Sequence, residues 1–239
     1  TFEEGYDKLL LSPGAKAVLP ELPGVDSKKI FTLRTVEDTF AIKDFVTQHK
    51  PRSAVMVGGG FIGVELAENL RELGLAVTIV QRPPQLLSPF DADMAAFIHN
   101  QMRKNGIKLA LGASVTGFQE DAEGISVLLK DGNPIHGDMV ILAIGVTPES
   151  QLAQDAGLAL GIKGSILVND RMETSIKDIY AVGDAVQVKH AVTGADSLIP
   201  LAGPANKQGR IVADNICGGD SRYLGSQGSS IIKLFDMTA

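Results

Sequence analysis

Six consecutive residues, Gly58-Gly59-Gly60-Phe61-Ile62-Gly63, have the types and spacing that suit gripping a pyrophosphate. They follow an apolar run, Ser53 to Val57, and open a helical pattern from Phe61 to Leu73 that ends at Gly74. Each glycine of the GxGxxG frame has its own task. Gly58 permits a tight turn, Gly60 lets an anion approach the backbone, and Gly63 lets the helix pack close to the sheet. The helix start offers free N–H groups and the positive end of its dipole. The next apolar run, Leu75 to Val80, leads into Gln81-Arg82, at the place where a dinucleotide's adenosine ribose is read. No carboxylate stands there. Gln81 can hydrogen-bond a ribose hydroxyl, and Arg82 can pair with a 2′-phosphate. The pair leans slightly towards NADPH, or towards tolerance of both nicotinamide dinucleotides.

The elements that position this loop are a strand, a helix and a second strand, about 30 residues in all, which is the size of one βαβ unit. Upstream, Tyr6 to Ser12 reads as a buried strand stopped by Pro13-Gly14, and Pro13 to Asp26 as a connector. Thr35 to Gln48 predicts an amphipathic helix with Glu37 and Asp38 near its start. Downstream, Asp91 to Asn105 predicts a helix with Met94, Phe97, Ile98 and Met102 on one apolar face, capped by Gly106. Strand-like runs follow at 107–111, 113–118 and 125–130, and Asp131-Gly132 marks a hairpin. Asp138 to Ile144 is another buried strand. A second unit has a short strand at Ile166 to Val168 and a buried one at Ile179 to Val182 that ends in Gly183-Asp184. A helix is expected from about Ala205 to Ile216, after Gly203-Pro204, and stops at Cys217-Gly218-Gly219. Alternation of parallel-type strands with helices predicts an α/β protein.

Composition narrows the classes. The 239 residues are 44% hydrophobic and 21% charged, which provides for a sizeable core and excludes a disordered chain. The net charge of −6 argues against a nucleic-acid partner. No apolar run is long enough for a membrane span, and no signal peptide opens the chain, so a cytoplasmic setting is expected. The one cysteine, Cys217, excludes an intrachain disulfide, and the four scattered histidines give no metal-ligand spacing. Thr1 at the start and the strand-like run Ile231 to Phe235 near the end suggest an excerpt of a longer protein.

Three ordered segments carry a resemblance. They are Val57 to Glu65, Ala143-Ile144-Gly145-Val146-Thr147-Pro148, and Thr174 to Ala185 with its Tyr180-Ala181-Val182-Gly183-Asp184 core. Together they resemble the FAD-dependent pyridine nucleotide-disulfide oxidoreductases. Ile199 to Arg210 is most similar to the coenzyme A-disulfide and persulfide reductases and related NADH oxidases. The resemblance implies a Rossmann-like fold with two dinucleotide-binding domains, the NAD(P) domain being inserted in an FAD domain that is incomplete here. Residues 1–47 would be the end of the first FAD segment, 48–147 the NAD(P) domain, 148–220 the second FAD segment, and 221–239 the start of a dimerisation domain.

The resemblance also implies residue roles. Ser12, Pro13 and Gly14 match a chain crossing beside FAD. Gly183 and Asp184 match the second FAD motif, in which the carboxylate accepts from the ribityl chain. Ala202 to Ala205 match the turn into a helix aimed at the flavin ring. Phe61 matches an aromatic that covers the flavin, although a core Phe is an equal reading of it. Glu65 matches an acid near the nicotinamide amide, and Gly145 a lining of the nicotinamide pocket. Asn206 and Lys207 match positions near the thiol substrate.

Two departures qualify this. No GxGxxG loop precedes residue 58, and no cysteine precedes Cys217. Cys217 reads as a small buried thiol at a helix cap rather than a redox centre. The implied activity passes hydride from nicotinamide to flavin and on to a disulfide or persulfide such as CoA disulfide. This chain is therefore expected to bind dinucleotide yet lack disulfide turnover alone. The alternatives are an NADH oxidase or peroxidase of the same fold, a ferredoxin-reductase-like enzyme, and a non-catalytic NAD(P)-binding module. The intact protein is expected to be a homodimer acting on a small thiol or disulfide.

Overall fold

Two runs, Ser53–Val57 and Met139–Leu142, are apolar at nearly every position because both of their faces are covered. In the computed structural model, which describes residues 3–239, they lie side by side in a five-stranded parallel sheet. Its order is Ile30–Thr32, Met139–Leu142, Ser53–Val57, Ala76–Gln81, Lys108–Leu111. Side chains alternate between two dry layers. Ala54, Met56, Val77, Ile79, Met139 and Ile141 join the core that holds Val64, Leu70, Ile98 and Met102 from two helices. Val55, Val57, Val80, Val140 and Leu142 join a second core with Phe118, Ile125 and Val127. The latter residues come from a three-stranded antiparallel sheet of Val115–Glu120, Ile125–Leu129 and Ile135–Gly137.

Three helices accompany the parallel sheet. Val36–His49 starts with a capping box: Thr35 Oγ1 accepts from the Asp38 N–H, and the Asp38 carboxylate accepts from the Thr35 N–H at 2.8 Å. Phe61–Glu72 follows the glycine loop, and Ala92–Lys104 follows a proline-broken segment. In Ala92–Lys104 the buried stripe is Ala95, Ile98 and Met102, whereas Met94 and Phe97 are 52% and 62% exposed. The expected apolar face is therefore corrected. Met94, four residues before Ile98, shares its stripe but stands in the first turn of the helix and stays exposed, while Phe97 projects to the side and Ala95 takes the buried place.

The described residues gather into two compact units. One holds those up to Lys16 with Val146–Ser230, and the other holds Ala17–Gly145 with Ile231–Ala239. Residues 17–47 gather with the parallel sheet, where the strand Ile30–Thr32 pairs with Met139–Leu142. At the end of the chain the hairpin Lys233–Leu234 and Met237–Thr238 packs on Phe61–Glu72. Among its contacts is the Phe235 N–H, which donates to Glu68 Oε1 at 2.8 Å.

In the unit containing Val146–Ser230, Leu9–Leu11 pairs in parallel with Ile179–Ala181, Leu10 opposite Tyr180. Its core gathers Ala153, Ile166, Met172, Tyr180, Ala181 and Val212. Several expectations change here. Ile166 to Val168 is not a ladder strand; Ile166 makes only single bridges to Leu160 and Val186. The connector after Pro13 contains a short strand, Ala15–Ala17. The last helix is Ala202–Ile216, so Gly203 and Pro204 lie inside its first turn, where the absent proline N–H is not needed. Cys217 is exposed rather than buried, because the helix turns its apolar stripe, including Ile211 and Val212, the other way. No helix is long and apolar enough to cross a membrane among the described residues.

Candidate functional site: two nucleotide-type loops

The strand order changes direction between Ser53–Val57 and Met139–Leu142. From Ser53–Val57 the chain adds Ala76–Gln81 and then Lys108–Leu111 on one side, and returns to place Met139–Leu142 on the other. Open α/β sheets bind ligands in the crevice at the carboxyl ends of strands at such a point. Gly58 and Ala143 leave those two strand ends. A Cβ on Gly58 would stand 2.2 Å from the Ala143 carbonyl oxygen, and its φ of +110° excludes ordinary side chains. A Cβ on Gly63 would stand 2.1 Å from the Gly58 carbonyl oxygen, so the helix backbone rests directly on the loop. At Gly60 the space is open, with nothing within 4 Å of an added Cβ. The first and third glycines serve close packing, and the middle one leaves an approach to the backbone.

Gly60 is also the N-cap of Phe61–Glu72, with no side-chain cap and no acid in the first turn. The amides at this end thus face outward without a carboxylate competing for them. Gly59 is held on both of its polar groups. Its N–H donates to Gln81 Oε1 at 2.9 Å, and its carbonyl accepts from the Leu87 N–H at 2.8 Å. Gln81 Nε2 donates in turn to the Gln85 carbonyl at 3.3 Å. The structure therefore gives Gln81 a framing role in the loop. Arg82 is exposed and has no ion-pair partner among the described residues.

Phe61 is half-buried against the helix-side core, and Ile62 is exposed. Glu65 lies with Leu33, Arg34, Ile62, Leu66 and Asn69 around a depression of about 350 Å³. Desolvation, reinforced by the neighbouring Glu68 charge, raises the Glu65 carboxyl above its ordinary range. Gly145 follows Ala143 and Ile144 and accepts from the Val18 N–H at 3.0 Å.

In the other unit, Ser12-Pro13-Gly14 and Val182-Gly183-Asp184 leave the same end of the paired strands Leu9–Leu11 and Ile179–Ala181. The Val182 N–H donates to the Leu11 carbonyl at 3.0 Å, so the two exits are adjacent. Gly183 has φ +82°. Its N–H donates to Gln208 Oε1 at 2.7 Å, and Gln208 is only 2% exposed. Gln208 lies on Ala202–Ile216, whose N-cap, Leu201, has no side-chain bond and whose first residue, Ala202, is exposed. Ala205 is the nearest side chain to a Cβ built on Gly183, at 3.9 Å. Asp184 is half-buried beside this turn, and Asn206 and Lys207 are exposed on the same helix.

The structure thus brings Gly58, Gly59, Gly60, Phe61, Ile62, Gly63, Gln81 and Gly145 to the carboxyl end of the parallel sheet. It brings Ser12, Pro13, Gly14, Gly183, Asp184, Ala202 and Ala205 to the carboxyl end of the paired strands Leu9–Leu11 and Ile179–Ala181. Two framing residues were not singled out from sequence: Gln208 and Leu87. A buried glutamine within an apolar helix stripe was a usable hint for Gln208, but its partner 25 positions earlier was not. Among the described residues no cluster of His, Cys, Asp or Glu could hold a metal ion.

A parallel sheet with a glycine loop at its switch point defines the class of Rossmann-like dinucleotide-binding folds. The family model for pyridine nucleotide-disulphide oxidoreductases matches residues 1–209, and the chain belongs to that family. It is 38% identical over 239 residues to an NADH oxidase of Methanocaldococcus jannaschii, covering 99% of this chain and 52% of the relative. It is 36% identical over 238 residues to a coenzyme A disulfide reductase of Staphylococcus aureus, covering 99% and 53%. The crystal structure of reduced Bacillus anthracis CoADR-RHD matches with TM-score 0.96 and 50% identity, over 99% of this chain and 42% of that one. The chain spans about half the length of the curated relatives it matches.

Proposed function

We propose that a protein of these relatives' length containing this chain is an NAD(P)H- and FAD-dependent oxidoreductase acting on a disulfide or persulfide such as CoA disulfide. The chain supplies the NAD(P) loop and one part of the flavin site. The observation that carries this reading is the open Gly60 position between two glycines that pack backbone on backbone, at the sheet's switch point. Bound together, the two cofactors would supply hydride transfer and the relay of electrons to sulfur.

The chain's own residues bind and orient. The uncapped amides from Gly60 to Ile62 receive the pyrophosphate. Gly145 and Glu65 flank the nicotinamide end, and Arg82 offers a cation to a 2′-phosphate. Gly183 exposes its backbone beside Asp184, whose carboxylate accepts from a ribityl hydroxyl. Ala202 and Ala205 start the helix that faces the flavin ring, and Asn206 and Lys207 stand for the thiol substrate. The domain ranges 1–47, 48–147, 148–220 and 221–239, a homodimeric whole and a cytoplasmic setting belong to the same proposal. A second reading, NADH oxidase, is favoured by the 38% identity to the M. jannaschii protein.

The test is calorimetric titration of this chain with NADH and NADPH, followed by an assay with CoA disulfide. Dinucleotide binding without turnover is expected, because Cys217 is its one cysteine and caps a helix in the open. CoA-disulfide reduction by the chain alone, or no binding of either dinucleotide, overturns the reading.

A further inference from the structure

Gly59 hangs between two supports of different stiffness. On one side Gln81 ends a strand of the parallel sheet, so its carboxamide is fixed by the ladder. On the other side Leu87 belongs to an irregular segment, 82–91, and has φ +47°, a left-handed conformation that a leucine adopts only under constraint. Leu86 is fully buried, and its Cδ2 would lie 2.3 Å from a Cβ on Gly59. The constraint on this turn comes from three hydrogen bonds. The Leu87 N–H donates to the Gly59 carbonyl at 2.8 Å, and the Phe90 N–H donates to the Leu87 carbonyl at 2.8 Å. The third involves a side chain from the next helix: the Leu86 N–H donates to His99 Nε2 at 3.0 Å.

That last bond depends on protonation. Nε2 accepts only while it carries no proton, which requires the neutral imidazole with its hydrogen on Nδ1. Once both nitrogens are protonated, two N–H donors face each other and the bond is lost. The turn at Leu86-Leu87 then keeps its unfavourable φ with one support fewer.

We propose that His99 is a positioning residue for the dinucleotide loop, and that protonation of its ring loosens the Leu86-Leu87 turn and weakens dinucleotide binding at Gly58–Gly63. The inference rests on the loop's reading as a dinucleotide site. Burial, helped by the Arg103 charge one turn along the same helix, lowers the imidazole's pKa from 6.5. The surroundings contribute little counter-charge. The residues 83–90, the strand Ala76–Gln81 and the loop 58–60 contain no ionisable side chain. Lys108–Leu111 and the Lys233–Thr238 hairpin also pack on the helix and bring Lys108, Lys233 and Asp236. Of these, Asp236 accepts from Gln101. The sign follows: a lowered imidazole pKa means the native loop favours the neutral ring, so the hold is complete near neutral pH and is lost as pH falls through the folded value.

Two measurements on the whole chain separate this inference from the reading beneath it. In the ligand-free chain, amide NMR from pH 8 to 5 is expected to show Leu86, Leu87 and Gly59 shifting with the His99 ring titration. NADH affinity over the same range is expected to fall about five- to tenfold, as a lost hydrogen bond transmitted to the loop would cause. NADH is the probe because the 2′-phosphate of NADPH titrates in the same window. His99→Gln keeps an acceptor without a titrating ring, so it should bind NADH nearly as wild type does and lose the pH dependence. His99→Leu should bind weakly at every pH. Loop amides that ignore the His99 titration, or a pH profile unchanged in His99→Gln, overturn the proposal. Coupled amides with no NADH binding at any pH overturn the dinucleotide reading, and with it the functional half of this proposal.

Discussion

The two glycine turns are built on opposite principles. At Gly58–Gly63 backbone meets backbone: the Ala143 and Gly58 carbonyls lie where side chains would otherwise be. At Gly183 there is room, with the nearest atom 3.9 Å from an added Cβ, and the turn is held instead by one buried side chain, Gln208. The first design makes the loop inseparable from the fold around it. The second ties a site to a helix that begins nineteen residues later, through a single hydrogen bond. A lesion in the first should therefore act as a folding defect, and a lesion in the second as a local one.

The sharpest test is Gly58→Ala. It combines a Cβ at 2.2 Å from a carbonyl oxygen with φ +110°. We expect a loss on the order of 4 kcal/mol or more, read as failure to give a cooperative thermal transition. If Gly58→Ala melts like wild type, the contrast collapses. Gly183→Ala should cost only about 1–2 kcal/mol, from its left-handed backbone alone. At roughly 2–4 °C per kcal/mol for a chain of this size, it remains folded with a modestly lower Tm.

Gln208→Leu sharpens the second half. It leaves the Gly183 N–H facing an apolar group, at about 1–3 kcal/mol. Hydrogen exchange should quicken at Gly183 and leave Gly58 and Gly59 protected; equal quickening at both turns would contradict separate designs. Gly60→Ala separates packing from function inside the first loop. The site is open and φ is −81°, so stability should stay within about 0.5 kcal/mol. NADH affinity should nevertheless fall at least about tenfold by calorimetry.

The smallest effect concerns acid. Asp138 joins the starts of Ser53–Val57 and Met139–Leu142 by accepting from the Arg52 and Ser53 N–H groups at 2.7 and 2.8 Å. Burial opposes its charge, yet these donors, with the Ser53 hydroxyl, hold the carboxyl below its usual 3.8. A lowered carboxyl pKa stabilises above the unfolded value and ceases to as pH falls through the folded one. Asp138→Asn should thus be weaker than wild type at pH 7 by a few tenths to about 1 kcal/mol, the half-exposed site being screened. Urea melts should show that gap closing as pH falls below the ordinary carboxylate range.

The same contrast explains what the sequence displayed. The Gly58–Gly63 loop was legible because its requirement is steric and local: Gly58 and Gly63 stand where no side chain fits, between a strand and a helix. The buried runs Ser53–Val57 and Met139–Leu142 were legible for a similar reason, since two covered faces leave no polar position. Gln208 and His99 were not, because a hydrogen bond reaching 25 or 13 positions along the chain leaves no local pattern. The start of Ala202–Ile216 was misplaced because Gly203-Pro204 reads as a breaker, yet a proline in a first turn forgoes nothing. The buried side of Ala92–Lys104 was misjudged because helical periodicity gives spacing, while the neighbours decide which stripe is covered.

The alternation along Ser53–Val57 has one more consequence. Its odd-numbered valines and its even-numbered Ala54 and Met56 belong to chemically different neighbourhoods, so the strand has a phase as well as a position. Deleting a single residue there would exchange the two sets and roll the glycine hinge to the wrong side of the sheet. Deleting two would restore the phase but draw the hinge back by about 6.6 Å, two strand steps. The glycine loop is thus timed by the parity of a five-residue strand as much as by its own glycines.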